Sequence, residues 1–260
     1  MKNRDSWIIQ KSVVFALLFR EIKTRFGEYK LGYLWAIINP VLHISTFILL
    51  WSLTGRTAFR DISLPLFLTV SIVPWFCFSD IVSRGMKAVE SNKSLFNYHN
   101  VKPVDTVISR IILEVLTHLS VFCLIILTLT IIGYNTAIQN LLLFIIAWIL
   151  LLLFSSGVSL IVGYFANTFK SFEKIVQFVL RLLYFSSAIF YPIDVMPQKA
   201  RNILLFNPVL QIIELFRASY FESFNLKYVD FIYLIIWSLS LIFIGLMLFY
   251  NNRYELIRIK

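Results

Sequence analysis

The stretch LLLFIIAWILLLLFSSGVSLIVGYF, Leu141 to Phe165, runs for 25 residues without a charged side chain. About 20 apolar residues in a helix cross a ~30 Å hydrocarbon core. Inside that core no water satisfies backbone N–H and C=O groups, so a single run of this kind must form a helix that bonds to itself. This one segment makes lipid the solvent for at least part of the chain.

Five more apolar runs read the same way, giving six expected spans: 33–53, 64–81, 111–132, 141–165, 175–193 and 229–250. The second holds Pro74, which a membrane helix tolerates when neighbours or waters satisfy the freed carbonyl. The fifth holds Arg181. The 260 residues are 59% hydrophobic and 15% charged, against roughly 45–50% and about 25% in a soluble domain. The expected fold is a single all-α polytopic membrane domain over residues 1–260, with little left for a soluble unit.

Loops on the cytoplasmic side carry the excess of Lys and Arg. With the N-terminus inside, eighteen of the 24 Lys and Arg fall inside and six outside, so both termini are expected in the cytoplasm. The net charge of +10 is spread between the spans, as orientation requires, and does not point to nucleic acid. Cys77 and Cys123 lie within apolar runs without disulfide or metal spacing, and read as core residues. No cleavable signal peptide is expected, because charges continue to Lys30 around the short run VVFALLF.

Residues 1–32 are too polar to span. Trp7, Ile8, Ile9 and Phe15 among basic residues fit a helix lying in the headgroup plane. At its end, RFGEYKLGYLWAIINPVLH joins Arg25 and Gly27 to Gly32 and Pro40, a proposed elbow from the membrane surface into the first span. Residues 87–103 mix charge with Leu95, Phe96 and Tyr98, and predict a short amphipathic helix ended before Pro103. Residues 194–227 are punctuated by prolines. After Pro208, the spacing of Leu210, Ile213, Leu215 and Phe216 around Glu214 and Arg217 predicts a short helix or helical hairpin packed back into the outer leaflet.

Enzyme motifs are missing. GEYKLGYL has the two glycines of a phosphate-binding loop, but Tyr33 and Leu34 replace its Lys and Ser/Thr. The three histidines look too scattered for a metal, so no catalytic residue and no metal ligand is assigned. Ionisable groups at membrane depth are functional candidates by default. Arg110, Glu114 and His118 recur every fourth residue and share one helix face. Lys174, Gln177, Arg181 and Tyr184 form a second stripe, and Glu114 is expected to meet Arg181. A hydrated passage and a structural ion pair both fit these stripes. Tyr33 and Trp35 at the mouth, and Tyr184 on the stripe, are the aromatics placed nearest such a passage. The spans lack acidic residues for ion coupling and show no paired repeats. A partner is therefore expected to supply energy from the cytoplasm, docking on Glu90, Leu95, Phe96 and Tyr98.

The segment REIKTRFGEYKLGYLWAIINPVLH (Arg20–His43) resembles the N-terminal pattern of ABC-2 type export permeases, in which a basic interfacial helix leads through L-G-x-L-W into a proline-bearing span. DISLPLFLTVSIVPWFCFSD, LFNYHNVKPVDTVISRIILE (Leu95–Glu114) and NPVLQIIELFR (Asn207–Arg217) are similar to the membrane subunits of capsular polysaccharide exporters of Gram-negative bacteria, the type handling lipid-anchored group 2 (polysialic-acid-type) capsules. The resemblance implies an inner-membrane homodimer paired with two copies of a separate ATPase. ATP and Mg would belong to that partner, with no cofactor in this chain. It also implies a channel between the two copies for a lipid-linked polysaccharide, a coupling helix within residues 87–103 and periplasmic gate helices within 194–227. A periplasmic adaptor and an outer-membrane export protein would continue the route. Exporters of O-antigen or teichoic acid share the pattern and remain an alternative. From another class, a membrane enzyme on lipid-linked sugars would have only Glu114 and His118 to work with.

Overall fold

The computed structural model describes residues 6–26, 32–53, 58–59, 62–98 and 100–257. Among the described residues the α-helices are α1 (Ser6–Phe26), α2 (Gly32–Leu53), α3 (Leu64–Met86), α4 (Ala88–Ser91), α5 (Pro103–Ile132), α6 (Leu141–Thr168), α7 (Phe172–Ser186), α8 (Gln198–Leu204), α9 (Pro208–Tyr220), α10 (Phe231–Asn251) and α11 (Arg253–Ile257). A small antiparallel ribbon, Ala58–Phe59 with Ile62–Ser63, precedes α3. Helices α3, α5, α6 and α10 are long and apolar enough to cross a membrane. The pair α8 and α9, bent by 103°, passes the same test if taken together, and α2 carries a further apolar stretch, Ile37–Leu53. The chain is an all-helical polytopic membrane protein.

Polar residues set the helix ends. Pro103 opens α5, where it needs no N–H partner, and the Asp105 carboxylate accepts from the Lys102 backbone N–H at 2.9 Å. Gly133 closes α5 at φ +101°, a left-handed conformation that glycine adopts without penalty. Asn140, Asn207 and Asp230 cap α6, α9 and α10 by accepting from Leu143, Val209 and Tyr233, the role their short side chains serve best.

Two helices run past the expected span ends. α3 continues through Arg84 to Met86, and α5 begins at Pro103 rather than Ile111. The cations that ended these spans on paper have carboxylate partners at one end of the bundle, Arg84 with Glu114, Lys87 with Glu173 and Arg110 with Glu21, so the helices need not stop. That end, where α1 and α4 also pack, is called the basic end below.

α3 is the hub. Most of its residues are buried, and it packs on α2, α5, α6 and α9. Helices in lipid gain little from apolar contact with each other, so close approach through small residues carries the packing. An added Cβ at Gly157 of α6 would lie 2.6 Å from Leu241 Cβ and 2.8 Å from the Ile242 backbone nitrogen of α10, and one at Gly245 would lie 2.6 Å from Leu160 Cβ. Cys77 is in this core, but Cys123 sits on the exposed face of α5. Its neighbours Val121, Phe122 and Ile125 are buried while Cys123 and Leu124 are exposed, a division that composition alone does not reveal.

α9 is the most deeply enclosed short helix, and Arg217 explains how. It is fully buried, yet all five of its N–H donors have acceptors. Nε donates to Ser71 Oγ at 3.0 Å, Nη1 to Glu214 Oε1 at 2.6 Å and Tyr191 O at 3.2 Å, and Nη2 to Ala188 O at 2.7 Å and Ile189 O at 2.8 Å. The guanidinium also lies 4.4 Å from the Phe67 ring centroid. To present its carbonyl, Ala188 takes φ 52°, a conformation uncommon for residues other than glycine. The helix expected over 175–193 therefore ends at Ser186, because the turn beyond it is shaped around Arg217.

Candidate functional site

α1 has one face against the bundle and another exposed. Leu17 is buried and Glu21 half-buried, whereas Trp7, Phe15 and Phe19 are exposed. Gln10 is hydrogen-bonded to Asp105 at the start of α5. The outer face carries these aromatics, and the inner face adds something composition did not reveal: α1 is fixed to α5 by polar contacts.

Those contacts converge on α4. Asn92, immediately after α4, is almost fully buried. Its amide donates to Ala88 O at 2.8 Å and Glu21 Oε1 at 3.2 Å, and its carbonyl accepts from Arg20. Arg110 of α5 completes the knot. It donates to Glu21 Oε1 at 3.2 Å, to the Arg84 backbone carbonyl at 2.7 Å and to Ser91 Oγ. Nothing in the sequence marked Asn92, because an Asn in a charged loop is ordinarily solvated.

Deeper in, Glu114 of α5 is 1% exposed and receives Arg25 of α1 at 2.5 Å and Arg84 of α3 at 3.2 Å. His118, one turn on, has Nε2 at 3.1 Å from Asp80 Oδ2 of α3 and 4.0 Å from Glu114 Oε2. Burial lowers the pKa of Arg25, and the Glu114 carboxylate offsets only part of that. The expected common face of Arg110, Glu114 and His118 is present, but the expected partner is not. Arg181 is exposed on α7, and Arg25 and Arg84 take its place beside Glu114. The histidine thought too isolated for a metal stands with two carboxylates, the three donor atoms lying within 4.8 Å of one another. On donor type the set resembles a metal site. Two guanidiniums already engage Glu114, so the charge is balanced and the geometry is that of a salt-bridge network.

The network lines a cavity of about 510 Å³, with Glu21, Arg25, Asp80, Arg84, Lys87 and Arg110 on its walls. Gln177 of α7 closes one side through a 3.1 Å bond to Ser83 Oγ. Charged side chains of α1, α3 and α5 thus make up much of its wall.

The remaining expected residues scatter. Tyr184 of α7 is hydrogen-bonded to His43 of α2 and stands among Trp75, Phe185 and Phe190 at centroid distances of 5.1–5.5 Å. It lies away from the charged cavity, in an aromatic cluster that also takes in Phe47 through its 4.2 Å contact with Phe190. Trp35 is exposed, and Pro40 is buried inside a continuing α2. Gly32 opens α2, whereas Gly27 and the side chain of Tyr33 lie outside the described residues. In the loop after α3, Glu90 and Tyr98 are exposed, Leu95 half-buried and Phe96 buried. The single amphipathic helix expected there is instead the short α4 followed by a 3₁₀ turn, Lys93–Asn97, because Asn92 turns inward to meet α1. Pro208 opens α9, and Glu214 and Arg217 form the buried pair described above.

Fold and cavity together define an α-helical polytopic membrane protein with its charged groups gathered at one end of the bundle. The chain belongs to the ABC-2 type transporter family, whose profile matches residues 12–221. It is 38% identical over 252 residues to the polysialic acid transport protein KpsM of Escherichia coli, covering 97% of each chain. The capsule polysaccharide export inner-membrane protein CtrC of Neisseria meningitidis serogroup B is 29% identical over 93% of this chain and 91% of its own. The O-antigen export system permease protein RfbA of Myxococcus xanthus is 26% identical over 82% and 81%.

Proposed function

We propose that this chain is the membrane-spanning permease of an ATP-driven exporter that moves lipid-anchored capsular polysaccharide across the bacterial inner membrane. The observation that carries the reading is the end-to-end similarity to KpsM, which spans 97% of both chains. The chain acts as a homodimer with two copies of a separate ATP-binding subunit that binds ATP and Mg and hydrolyses the nucleotide. Six spans, counting α2 and α7 with the four long apolar helices, leave both termini in the cytoplasm, so the basic end faces the cytoplasm. Exposed apolar side chains on α2 and α7, among them Leu49, Leu50, Phe178 and Phe185, suit a contact between copies.

In this reading the ATP-binding subunit docks on residues 87–103, with Glu90 and Tyr98 exposed for contact. Its movement passes through Asn92 to α1 and through Arg110 to α5. The charged cavity receives the polymer. Tyr184, with Phe47 and Phe190 nearby, offers ring faces to sugars, whose own apolar faces stack on aromatics. The helices α8 and α9 act as the periplasmic gate, and a periplasmic adaptor and an outer-membrane export protein carry the polymer onward. The similarity to RfbA supports O-antigen as the second cargo to test.

The test is complementation of a strain lacking its own capsule permease but retaining the ATP-binding subunit. Surface polysaccharide should return with the wild-type chain. A Glu90→Ala/Phe96→Ala variant should instead leave polymer inside the cell while the permease still reaches the membrane. Restoration of O-antigen alone would reassign the cargo, and unchanged export by the double variant would remove the docking assignment.

A further inference from the structure

Away from the charged cavity, α5 and α10 part to leave a trough on the outside of the bundle. Its upper part, about 620 Å³, lies at the basic end between Tyr98 and Lys102 on one side and Arg253 and Tyr254 on the other. Its lower part, about 440 Å³, is walled almost wholly by apolar side chains, including Ile108, Ile112 and Leu116 of α5, Leu152 of α6 and Ile242 of α10. Val104 and Leu246 belong to both parts, so the trough is continuous.

The two parts differ in chemistry along one direction. At the upper end, Lys102 and Arg253 are exposed, and the Arg253 guanidinium is 4.8 Å from the Tyr254 ring centroid and 5.4 Å from that of Tyr250. Among the described residues neither cation has a salt-bridge partner. The carboxylate that lines this end, Asp105, is 3% exposed and taken up by the Lys102 backbone N–H and the Gln10 side chain. The upper end thus presents net positive charge framed by amphipathic rings, the build of a headgroup-level site. The lower part follows α5 from Val104 to Leu116, about 18 Å at a helical rise of ~1.5 Å per residue. Half of a ~30 Å hydrocarbon core is about 15 Å. Because this part lies between three membrane-spanning helices, a water-soluble protein does not reach it.

We propose that the trough binds an anionic phospholipid of the leaflet at the basic end. Its phosphate sits between Lys102 and Arg253 and one acyl chain lies along α5 over Ile108, Ile112 and Leu116. Phe96, Tyr98 and Val101 form part of the same wall, so the lipid also braces the loop after α4 against α10. The binding itself depends on the membrane fold alone and not on the cargo.

Native mass spectrometry of the full-length chain, released from nanodiscs of equal phosphatidylcholine and phosphatidylglycerol, tests the site. The wild type should retain phosphatidylglycerol preferentially. K102Q/R253Q should lower that retention by about thirtyfold, as the loss of two headgroup-level charges implies, and K102R/R253K should restore it. Leu116→Trp, filling the lower part, should reduce retention with both cations in place. Both cations are exposed, so unfolding in phosphatidylcholine alone should not change in K102Q/R253Q. Equal retention of the two lipids, or unchanged retention in K102Q/R253Q, overturns the proposal. Loss of the bound lipid when the ATP-binding subunit is added would overturn it too, assigning the upper end of the trough to that protein.

Discussion

Arg25, near the end of α1, donates to the buried Glu114 of α5 at 2.5 Å, across 89 positions of chain. Arg84 approaches the same carboxylate oxygen at 3.2 Å, so one buried acid joins α1, α3 and α5. Removing one member of a buried ion pair leaves an uncompensated charge, at a typical cost of about 3–5 kcal/mol. Glu114→Ala should therefore destabilise the protein at the low end of that range, since both arginines retain some access to water. Arg25→Ala added to Glu114→Ala should cost less than the sum of the two single changes. Denaturant or thermal unfolding in nanodiscs checks both statements, and simple additivity would argue against the pairing.

Asn92 ties the loop after α4 to α1 through Glu21 and Arg20. Asn92→Ala leaves Glu21 paired with Arg110 but cuts the direct tie. Surface polysaccharide per unit of membrane-inserted permease should fall several-fold, while ATP hydrolysis by the assembled complex persists. Wild-type export by Asn92→Ala would place force transmission elsewhere.

The left-handed turn at Ala188 and the Arg217 that holds it form a second unit. Ala188→Gly relieves roughly 1–2 kcal/mol of backbone cost and loses about 0.8 kcal/mol of methyl burial, so its stability should stay within about 1 kcal/mol of wild type. Ala188→Val should be clearly worse, since a β-branched residue is an outlier there. Arg217→Met should be worse again, leaving four buried acceptors outside its own helix and the Glu214 charge without their donor. Expression-normalised unfolding temperatures should rank the three in that order.

Gly157→Ala should push α6 and α10 apart, because its new Cβ would meet the Ile242 backbone at 2.8 Å. A cost of about 1–3 kcal/mol is expected from overpacking. The replacement is a good helix former, so intrinsic propensity predicts the opposite sign. Unfolding measurements decide between packing and propensity directly.

The polar stripe Arg110, Glu114 and His118 was legible because helical periodicity alone puts every fourth residue on one face. Its partners were not. Arg181 matches Glu114 in charge as well as Arg25 and Arg84 do, and nothing in a linear string says which helix comes close. Asn92 and Asp80 escaped notice for the same reason, since each has ordinary neighbours in sequence and matters only through what α1 and α5 bring to it. The end of α7 at Ser186 was hidden as well, because its cause is a guanidinium on another helix.

What can be read residue by residue is what depends on transfer from water to lipid, a free energy each segment carries by itself. That covers the membrane class, the long apolar helices and the uneven distribution of Lys and Arg. The choice of ion-pair partners, the turn at Ala188 and the trough along α5 were decided only when the helices packed. In a low-dielectric interior a pair is worth keeping only within a few ångströms and with its remaining donors satisfied. Distances of that kind belong to the packed bundle and not to any single stretch of chain.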